Sequence, residues 1–162
     1  MEITFRQFKS SDKEDVVSLM SIFDQCIQSI DDKNLTNYKK GSADYFVDKM
    51  IALIQTKQGM IYLACNDNRV IGFVSGHIEV QDEDEKMETI PAIPGVVGEL
   101  FVSPQYRGLK IGKRLLEMIE KYLKDKGCTI VRFPVFAPNT SARQFYEKAG
   151  YSERLIYVMK EL

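Results

Sequence analysis

Hydrophobic residues recur at helical spacing in four stretches of the chain. The first stripe lies in residues 16–30, and a second helix is expected over residues 42–58. A third helix, over residues 111–126, combines one apolar stripe with oppositely charged pairs four residues apart on its polar face. Asn139 is suited to cap a fourth helix, which is expected to end before Gly150.

Strand-forming residues fill the segments around these helices. The turn Asn66-Asp67-Asn68 is typical of a hairpin, because Asn and Asp tolerate positive φ angles, so the strands on either side of it should pair. The expected strands cover residues 2–8, 60–65, 69–80, 96–102 and 129–135, and one or two closing strands are expected within residues 151–162.

The order of these elements predicts one α/β (α+β) domain over residues 1–162, since the chain shows no repeat and no linker. Strands joined by short hairpins are expected to be antiparallel. The strands at residues 96–102 and 129–135 flank a helix and should therefore be parallel. We expect a mixed, mostly antiparallel central sheet with helices on its faces.

The composition argues against several classes of protein. The chain has 162 residues, of which 44% are hydrophobic, and a net charge of −1, so neither nucleic-acid binding nor membrane binding is expected. Its three cysteines follow no metal-binding or disulfide spacing, and the single histidine, His77, excludes a multi-histidine metal site. We expect a cytoplasmic protein without a metal.

An acidic run, residues 81–88, follows the second strand of the hairpin. Such a run is typical of a solvated, mobile loop, and the alternative is a surface that attracts cationic substrates. Asp24, Asp31 and Asp32, near the end of the first helix, would add to that attraction.

The strand over residues 96–102 leads through a glycine-bearing turn into the helix that starts at Ile111. Free backbone N–H groups at the start of a helix bind anions. Neither the nucleotide-binding pattern G-x-x-x-x-G-K-[ST] nor the dinucleotide pattern G-x-G-x-x-G occurs here. The positive side chains of this turn are Arg107, Lys110, Lys113 and Arg114.

Two segments resemble the GNAT superfamily of acetyl-CoA-dependent N-acetyltransferases. The turn is similar to the superfamily's pyrophosphate loop, [RQ]-x-x-G-x-[GA], with Arg107 first, Gly112 last and Lys110 in place of the first glycine. Asn139 begins a second segment, similar to N-x-x-A-x-x-x-Y-x-x-x-G-[FY] at every defined place, in which Tyr146 is the tyrosine. Because the two motifs are separated by one helix and one strand, as in the superfamily, together they are more specific than either alone.

The resemblance covers residues 60–162 and implies a GNAT-like fold, acetyl-CoA as the cosubstrate and no metal. A side chain at Lys110, in a tight turn, requires a less favourable φ angle than glycine would. The residues implied to bind the coenzyme are Leu100, Phe101, Val102, Arg107, Gly108, Leu109, Lys110, Ile111, Gly112, Lys113, Asn139, Ser141 and Tyr146.

The resemblance also implies catalytic roles. Tyr146 would be the general acid for the departing thiolate, although its place on an apolar helical stripe is also typical of a core aromatic residue. Backbone groups at residues 100–102 would pair with the coenzyme, and one would polarise the acetyl carbonyl. Glu99, the one acid of that strand, is a candidate general base because burial would raise its pKa. The alternatives are a structural role for Glu99, deprotonation through water, and His77 as the base.

These features predict the direct transfer of an acetyl group to a primary amine, either a small cationic amine or a peptide amine. The alternative is a regulatory module that binds acyl-CoA without catalysis. A homodimer is compatible with the sequence, which contains no surface stripe that demands one.

Overall fold

Five strands form one sheet in the computed structural model of the protein, which describes residues 2–160. In chain order the strands are β1 (Ile3–Gln7), β2 (Met60–Asn66), β3 (Arg69–Ile78), β4 (Pro94–Val102) and β5 (Ile130–Arg132). They keep this order across the sheet, and every neighbouring pair is antiparallel except β4 and β5, which are parallel. The expected mixed, mostly antiparallel sheet is confirmed.

Helices flank the sheet, and those expected from hydrophobic spacing are present. The α-helices are α1 (Lys13–Ser29), α2 (Ser42–Thr56), α3 (Glu83–Glu88), α4 (Ile111–Asp125) and α5 (Thr140–Lys148). Short 3-10 turns at Ser10–Asp12 and Pro104–Tyr106 precede α1 and α4. Across residues 2–160, no helix is both long and apolar enough to cross a membrane.

Side chains of the central strands alternate between two apolar clusters, one on each face of the sheet. Phe73 of β3 and Phe101 of β4 pack with α1 and α2, whereas Val74 of β3 and Val97 of β4 pack with α4. The strand β4 therefore lies between α1 on one face and α4 on the other.

The acidic run forms a helix, so the expectation of a mobile loop was wrong. The first turn of α3 is capped by Asp82, whose carboxylate accepts a 2.8 Å hydrogen bond from the Glu85 N–H. Arg132 of β5 forms ion pairs with Glu85 and Glu79 that attach α3 to the edge of the sheet. The cap and these ion pairs order a segment whose charge alone favoured a loop.

The end of the chain departs from the prediction. β5 ends at Arg132, because Pro134 has no N–H to donate to a ladder. Residues 151–160 contain no strand, and residues 161 and 162 of the expected closing strands lie outside the described part of the chain. The three-residue edge of β5 offers little backbone for another strand, and the apolar residues 155–159 are exposed.

Candidate active site

The strands β4 and β5 separate part-way along β4. Their pairing ends at Val96, which lies opposite Arg132. β4 continues to Val102, and within residues 2–160 no strand pairs with this remaining part on the side of β5. The edge of β4 at Leu100–Val102 is therefore open to an extended ligand, in the place where the sequence implied coenzyme binding.

A β-bulge lies just beyond the point of separation. Gly98 and Glu99 face a single residue of β3, Ser75, and the Glu99 N–H donates a 3.0 Å hydrogen bond to Ser75 Oγ. A Cβ atom at position 98 would lie 2.6 Å from that oxygen, so a larger residue there would force the hydroxyl group or the strand to move. The bulge was not predicted, and the one signal for it was a glycine inside a strand pattern.

Glu99 has a carboxyl group that titrates near neutral pH. Burial, and to a smaller extent the negative charge of Asp24 on α1, raises the pKa of Glu99 to about 7. The residue keeps part of its surface accessible, and within the described chain no group donates a hydrogen bond to its carboxylate. An accessible carboxylate with this pKa is suited to accept a proton at neutral pH.

Tyr146 projects from α5 into an aromatic cluster. Its ring centroid lies 4.3 Å from that of Phe133, 5.1 Å from that of Phe145 and 5.9 Å from that of Tyr151. Burial, and then the charge of Glu99, raises the pKa of Tyr146 to about 12, so the phenol keeps its proton at neutral pH. The ring is packed like a core aromatic, yet its hydroxyl group has no hydrogen-bond partner within residues 2–160 and is available to a ligand.

The turn before α4 contains two residues in the left-handed conformation. Gly108 has a φ angle of +82°, and Lys110, the N-cap of α4, has a φ angle of +61°. The less favourable backbone conformation expected at Lys110 is therefore present. The turn keeps this shape although Lys110 stands in place of a glycine.

The first turn of α4 presents free donors. The N–H groups of Ile111, Gly112 and Lys113 have no acceptor in the described chain, and α4 has no side-chain cap. Backbone bonding of the helix begins with the 3.1 Å bond from the Arg114 N–H to the Lys110 carbonyl. Three aligned donors at the positive end of a helix dipole form an anion site.

Arg107 is turned back onto β4. Its Nε donates a 3.2 Å hydrogen bond to the Val102 carbonyl, and its guanidinium carbon lies 5.7 Å from the centre of the Phe101 ring. The Phe101 side chain is buried in the core, so only its backbone can face a coenzyme. Leu109 is half exposed, and the Lys113 side chain, in the first turn of α4, is exposed.

Asn139 caps α5, as predicted. Its Oδ1 accepts 3.1 Å hydrogen bonds from the Ala142 N–H and from the Ser141 hydroxyl group. This oxygen is used within the helix start, which leaves the amide nitrogen of Asn139 for a ligand. Ser141 lies at the surface, and its hydroxyl group is engaged by the Asn139 side chain.

His77, the alternative base, belongs to a different charged cluster. Its Nε2 lies 4.0 Å from Glu79 Oε1, and burial lowers the pKa of His77 more than Glu79 raises it. The charged groups that shift the pKa values of Glu99 and Tyr146 do not include His77. The fold brings Glu99 and Tyr146 together and keeps His77 with Glu79.

Two further residues lie near Glu99 that sequence reasoning did not assign to the catalytic centre. The pKa of Tyr38, in the loop between α1 and α2, is raised by burial and by the charges of Asp24 and Glu99. Asp24 had been grouped with Asp31 and Asp32 as a general acidic surface. No periodicity marks Tyr38, because it lies in an irregular segment.

The sequence profile of the acetyltransferase (GNAT) family matches residues 25–151. This chain belongs to that family. The match spans β4, the turn before α4 and all of α5, the segments that form the site described above. The resemblance seen in the sequence is confirmed, and with it the N-acetyltransferase class; the family uses acetyl-CoA as its acetyl donor.

Relatives and solved structures agree with this assignment. The chain is 31% identical, over 57% of its length, to an uncharacterised N-acetyltransferase of Methanocaldococcus jannaschii, and the match spans 39% of that protein. It is 26% identical, over 86% of its length, to one of Archaeoglobus fulgidus, and here the match spans 88% of the relative. The fold is similar to that of the aminoglycoside N-acetyltransferase AAC(6')-Iy in its complex with CoA, with a TM-score of 0.71 and 16% sequence identity. The superposition covers 99% of this chain and 96% of the other chain.

Proposed function

We propose that the protein transfers the acetyl group of acetyl-CoA directly to a primary amine, with Glu99 as the general base and Tyr146 as the general acid. The observation that carries the proposal is the proximity of two groups with shifted pKa values: burial raises the pKa of Glu99 to about 7, and the charge of Glu99 adds to the effect of burial on the pKa of Tyr146. Aminolysis of a thioester needs a group that accepts the proton of the amine and a group that donates a proton to the leaving sulfur. The two groups must lie close together in one site.

The residues present fit coenzyme A. The free N–H groups at the start of α4 would hold its diphosphate, and Lys110 adds a positive charge beside them. The open edge of β4 at Leu100–Val102 would pair with the amides of its pantetheine arm. A Cβ atom on Gly112 would lie 3.8 Å from the Phe145 ring, so the anion site adjoins the helix that carries Tyr146. When bound, acetyl-CoA supplies an electrophilic thioester carbonyl.

Glu99 takes the proton that the amine loses. The C–N bond forms as the nitrogen attacks the acetyl carbon, and the C–S bond breaks to release the thiol. A carboxylate with a pKa of about 7 is about half ionised at neutral pH, so it is available as a base and retains the proton it receives. The bulge at Gly98 fixes the direction of this side chain through the hydrogen bond from the Glu99 N–H to Ser75.

Tyr146 donates to the sulfur as the C–S bond breaks. While Glu99 is ionised, a phenol with a pKa of about 12 is a weaker acid than a thiol, and complete proton transfer is unfavourable. Once Glu99 has taken the proton of the amine, the charge that raised the pKa of Tyr146 is neutralised. Tyr146 is then a stronger acid at the moment when the thiolate leaves, and the proton on Glu99 restores the phenol afterwards.

The test is a thiol-release assay with acetyl-CoA and a panel of free amines and peptides. Tyr146→Phe is expected to lower kcat by about 10- to 100-fold, since it removes one proton donor, in a protein that still binds acetyl-CoA. Tyr151→Phe is the matched control. Tyr151 lies in the same aromatic cluster, but its hydroxyl group donates to Glu120, so this variant should keep its kcat.

Each outcome decides between the two functions. Full turnover by Tyr146→Phe contradicts the assigned acid. Binding of acetyl-CoA, measured by titration calorimetry, without turnover of any amine favours the regulatory module. A wild-type protein that binds no acetyl-CoA contradicts both functions.

A further inference from the structure

Asp24 is a buried carboxylate without a cation. The residue is 5% exposed on α1, and its Oδ2 accepts a 2.9 Å hydrogen bond from the Ser42 hydroxyl group at the start of α2. Within residues 2–160 it forms no ion pair, and no group donates to its second oxygen. Its second oxygen is not among the fully buried side-chain atoms that lack a partner, so it remains accessible to a cationic group of a ligand.

The carboxylate borders a cavity. A space of about 250 Å³ is lined by Asp24 together with Ser42 and Tyr38. Lys39 and Lys40 also line it, but both are exposed, and neither affects the pKa of Asp24, which burial raises. Asp24 therefore forms no ion pair within residues 2–160, although these two lysines border the same space.

An aromatic wall continues from this cavity. A second space, of about 370 Å³, shares Tyr38 and Ser42 with the first and is bordered by Tyr45 and Phe46. These two rings are partly or largely exposed, and their centroids lie 5.4 Å apart. Aromatic faces beside a carboxylate attract organic cations and cover their methylene groups.

The carboxylate of the cavity is linked electrostatically to Glu99. The charge of Asp24 raises the pKa of Glu99, and Tyr38 responds to both carboxylates. Asp24 and Glu99 are thus close enough to influence each other, while only Glu99 is coupled to Tyr146. Asp24 lines the cavity, and Glu99 is the proposed base outside its lining.

We propose that Asp24 binds a second ammonium group of the acceptor, so that the preferred acceptors are small alkane diamines or polyamines rather than peptide amines. This inference rests on the proposed function, because the other amino group of the acceptor must reach Glu99. Tyr38, which lines both cavities, would contact the methylene chain between the two nitrogens. Asp24 is in this reaction a specificity-determining residue.

A purely structural role for Asp24 makes a different prediction. The bond to Ser42 ties α1 to α2, and asparagine, which has the same shape and keeps a carbonyl oxygen, can accept the same bond. Asp24→Asn therefore removes the charge and preserves the tie, whereas Ser42→Ala removes the tie and preserves the charge. Asp32→Asn, an exposed acid outside the cavity, matches the change in net charge.

The experiment compares putrescine with butylamine, which has the same carbon chain and one amino group, in acetyl-transfer kinetics. The wild type should prefer putrescine by about 10- to 100-fold in kcat/KM, because a hydrogen bond between charged groups is of that strength. Asp24→Asn should abolish this preference through KM for putrescine, while any change in kcat that follows from a lower pKa of Glu99 should be the same for both amines. Asp32→Asn and Ser42→Ala should keep the preference.

Calorimetric titration of putrescine into the protein with bound CoA separates this inference from the proposed function. Binding that is lost in Asp24→Asn supports the ammonium site even where acetyl transfer fails. Transfer to peptides without binding of putrescine overturns the site and leaves the function intact. An Asp24→Asn variant that still prefers putrescine, or a loss of preference in Ser42→Ala alone, also overturns it.

Discussion

The carboxylate of Glu99 raises the pKa of the Tyr146 phenol, although one residue lies on β4 and the other on α5. The two elements approach because β5 pairs with β4 only as far as Val96 and leaves the rest of the strand open. The bulge at Gly98 then sets the direction of Glu99 at this opening. The proposed base and acid therefore lie close enough for the charge of Glu99 to shift the pKa of Tyr146.

Removal of the Glu99 charge should lower the pKa of Tyr146. In Glu99→Gln the pKa is expected to fall from about 12 toward the ordinary phenol value and to stay above it, because burial is the larger cause of the shift. Nuclear magnetic resonance of ring-labelled tyrosine over a pH titration measures this, and the Tyr146→Phe spectrum assigns the signal. An unchanged pKa in Glu99→Gln would show that the two groups are not coupled.

Glu99 should also make the stability of the protein depend on pH. Its pKa is about 7 in the folded protein against 4.5 for an ordinary glutamate, so between these values the folded state binds more protons than the unfolded state. The contribution of Glu99 to the free energy of unfolding is therefore largest below about pH 4.5. It decreases as the pH rises to about 7 and stays small at higher pH. Ionised Glu99 destabilises the fold at neutral and alkaline pH.

Glu99→Gln removes this dependence. The variant should be more stable than the wild type by about 1–3 kcal/mol at about pH 8, with little difference at about pH 4. Urea unfolding of both proteins across this pH range measures the difference in their free energies of unfolding. Groups far from residue 99 titrate alike in both proteins, so their effects cancel in this difference. A difference that does not change with pH would mean that Glu99 has an ordinary pKa.

The sheet and the coenzyme-binding elements could be predicted from the sequence because local rules fix them. A helix stripe and its glycine stop gave α4, and Asn139 marked the start of α5. The parallel pairing of β4 with β5 followed from the helix between them. Pro134 ended β5 early and shows how one residue overrides a favourable strand composition.

The surroundings of Asp24, where we propose that the acceptor binds, could not be predicted in the same way. The neighbours of Asp24 are Ser42 and Tyr38, far from it in sequence, and only packing of α1 and α2 against the sheet brings them together. The order of α3 likewise depends on Arg132, a residue more than forty positions away. The pattern of charges along the sequence does not predict such contacts, because it does not show which residues far apart in the sequence will be neighbours in the fold.

Lys110→Gly should stabilise the turn before α4. Lys110 has a φ angle of +61°, which costs an ordinary residue about 1–2 kcal/mol and glycine nothing. Lys110→Ala is the control, since it loses the same charge and keeps the strain. Thermal unfolding should show the glycine variant more stable than the alanine variant by about 1 kcal/mol. Equal stabilities would indicate that the turn is not left-handed at this position in solution.

Gly98→Ala should disrupt the bulge and the position of Glu99. The new methyl group would lie 2.6 Å from Ser75 Oγ, so either the hydroxyl group moves and loses its bond to the Glu99 N–H, or β4 shifts. We expect a loss of about 1–3 kcal/mol in stability, as for other overpacked sites, together with reduced acetyl transfer. Chemical denaturation and thiol-release rates measure the two effects.

Ser75→Ala provides the partner for a double-mutant cycle with Gly98→Ala. Without the hydroxyl group, the methyl group at position 98 meets Ser75 Cβ at 3.9 Å, an ordinary contact. The double variant should therefore lose less stability than the sum of the two single variants, since the clash is relieved and the hydrogen bond is lost only once. Additive losses would mean that Ser75 and residue 98 do not meet, and that the bulge does not hold Glu99 in place.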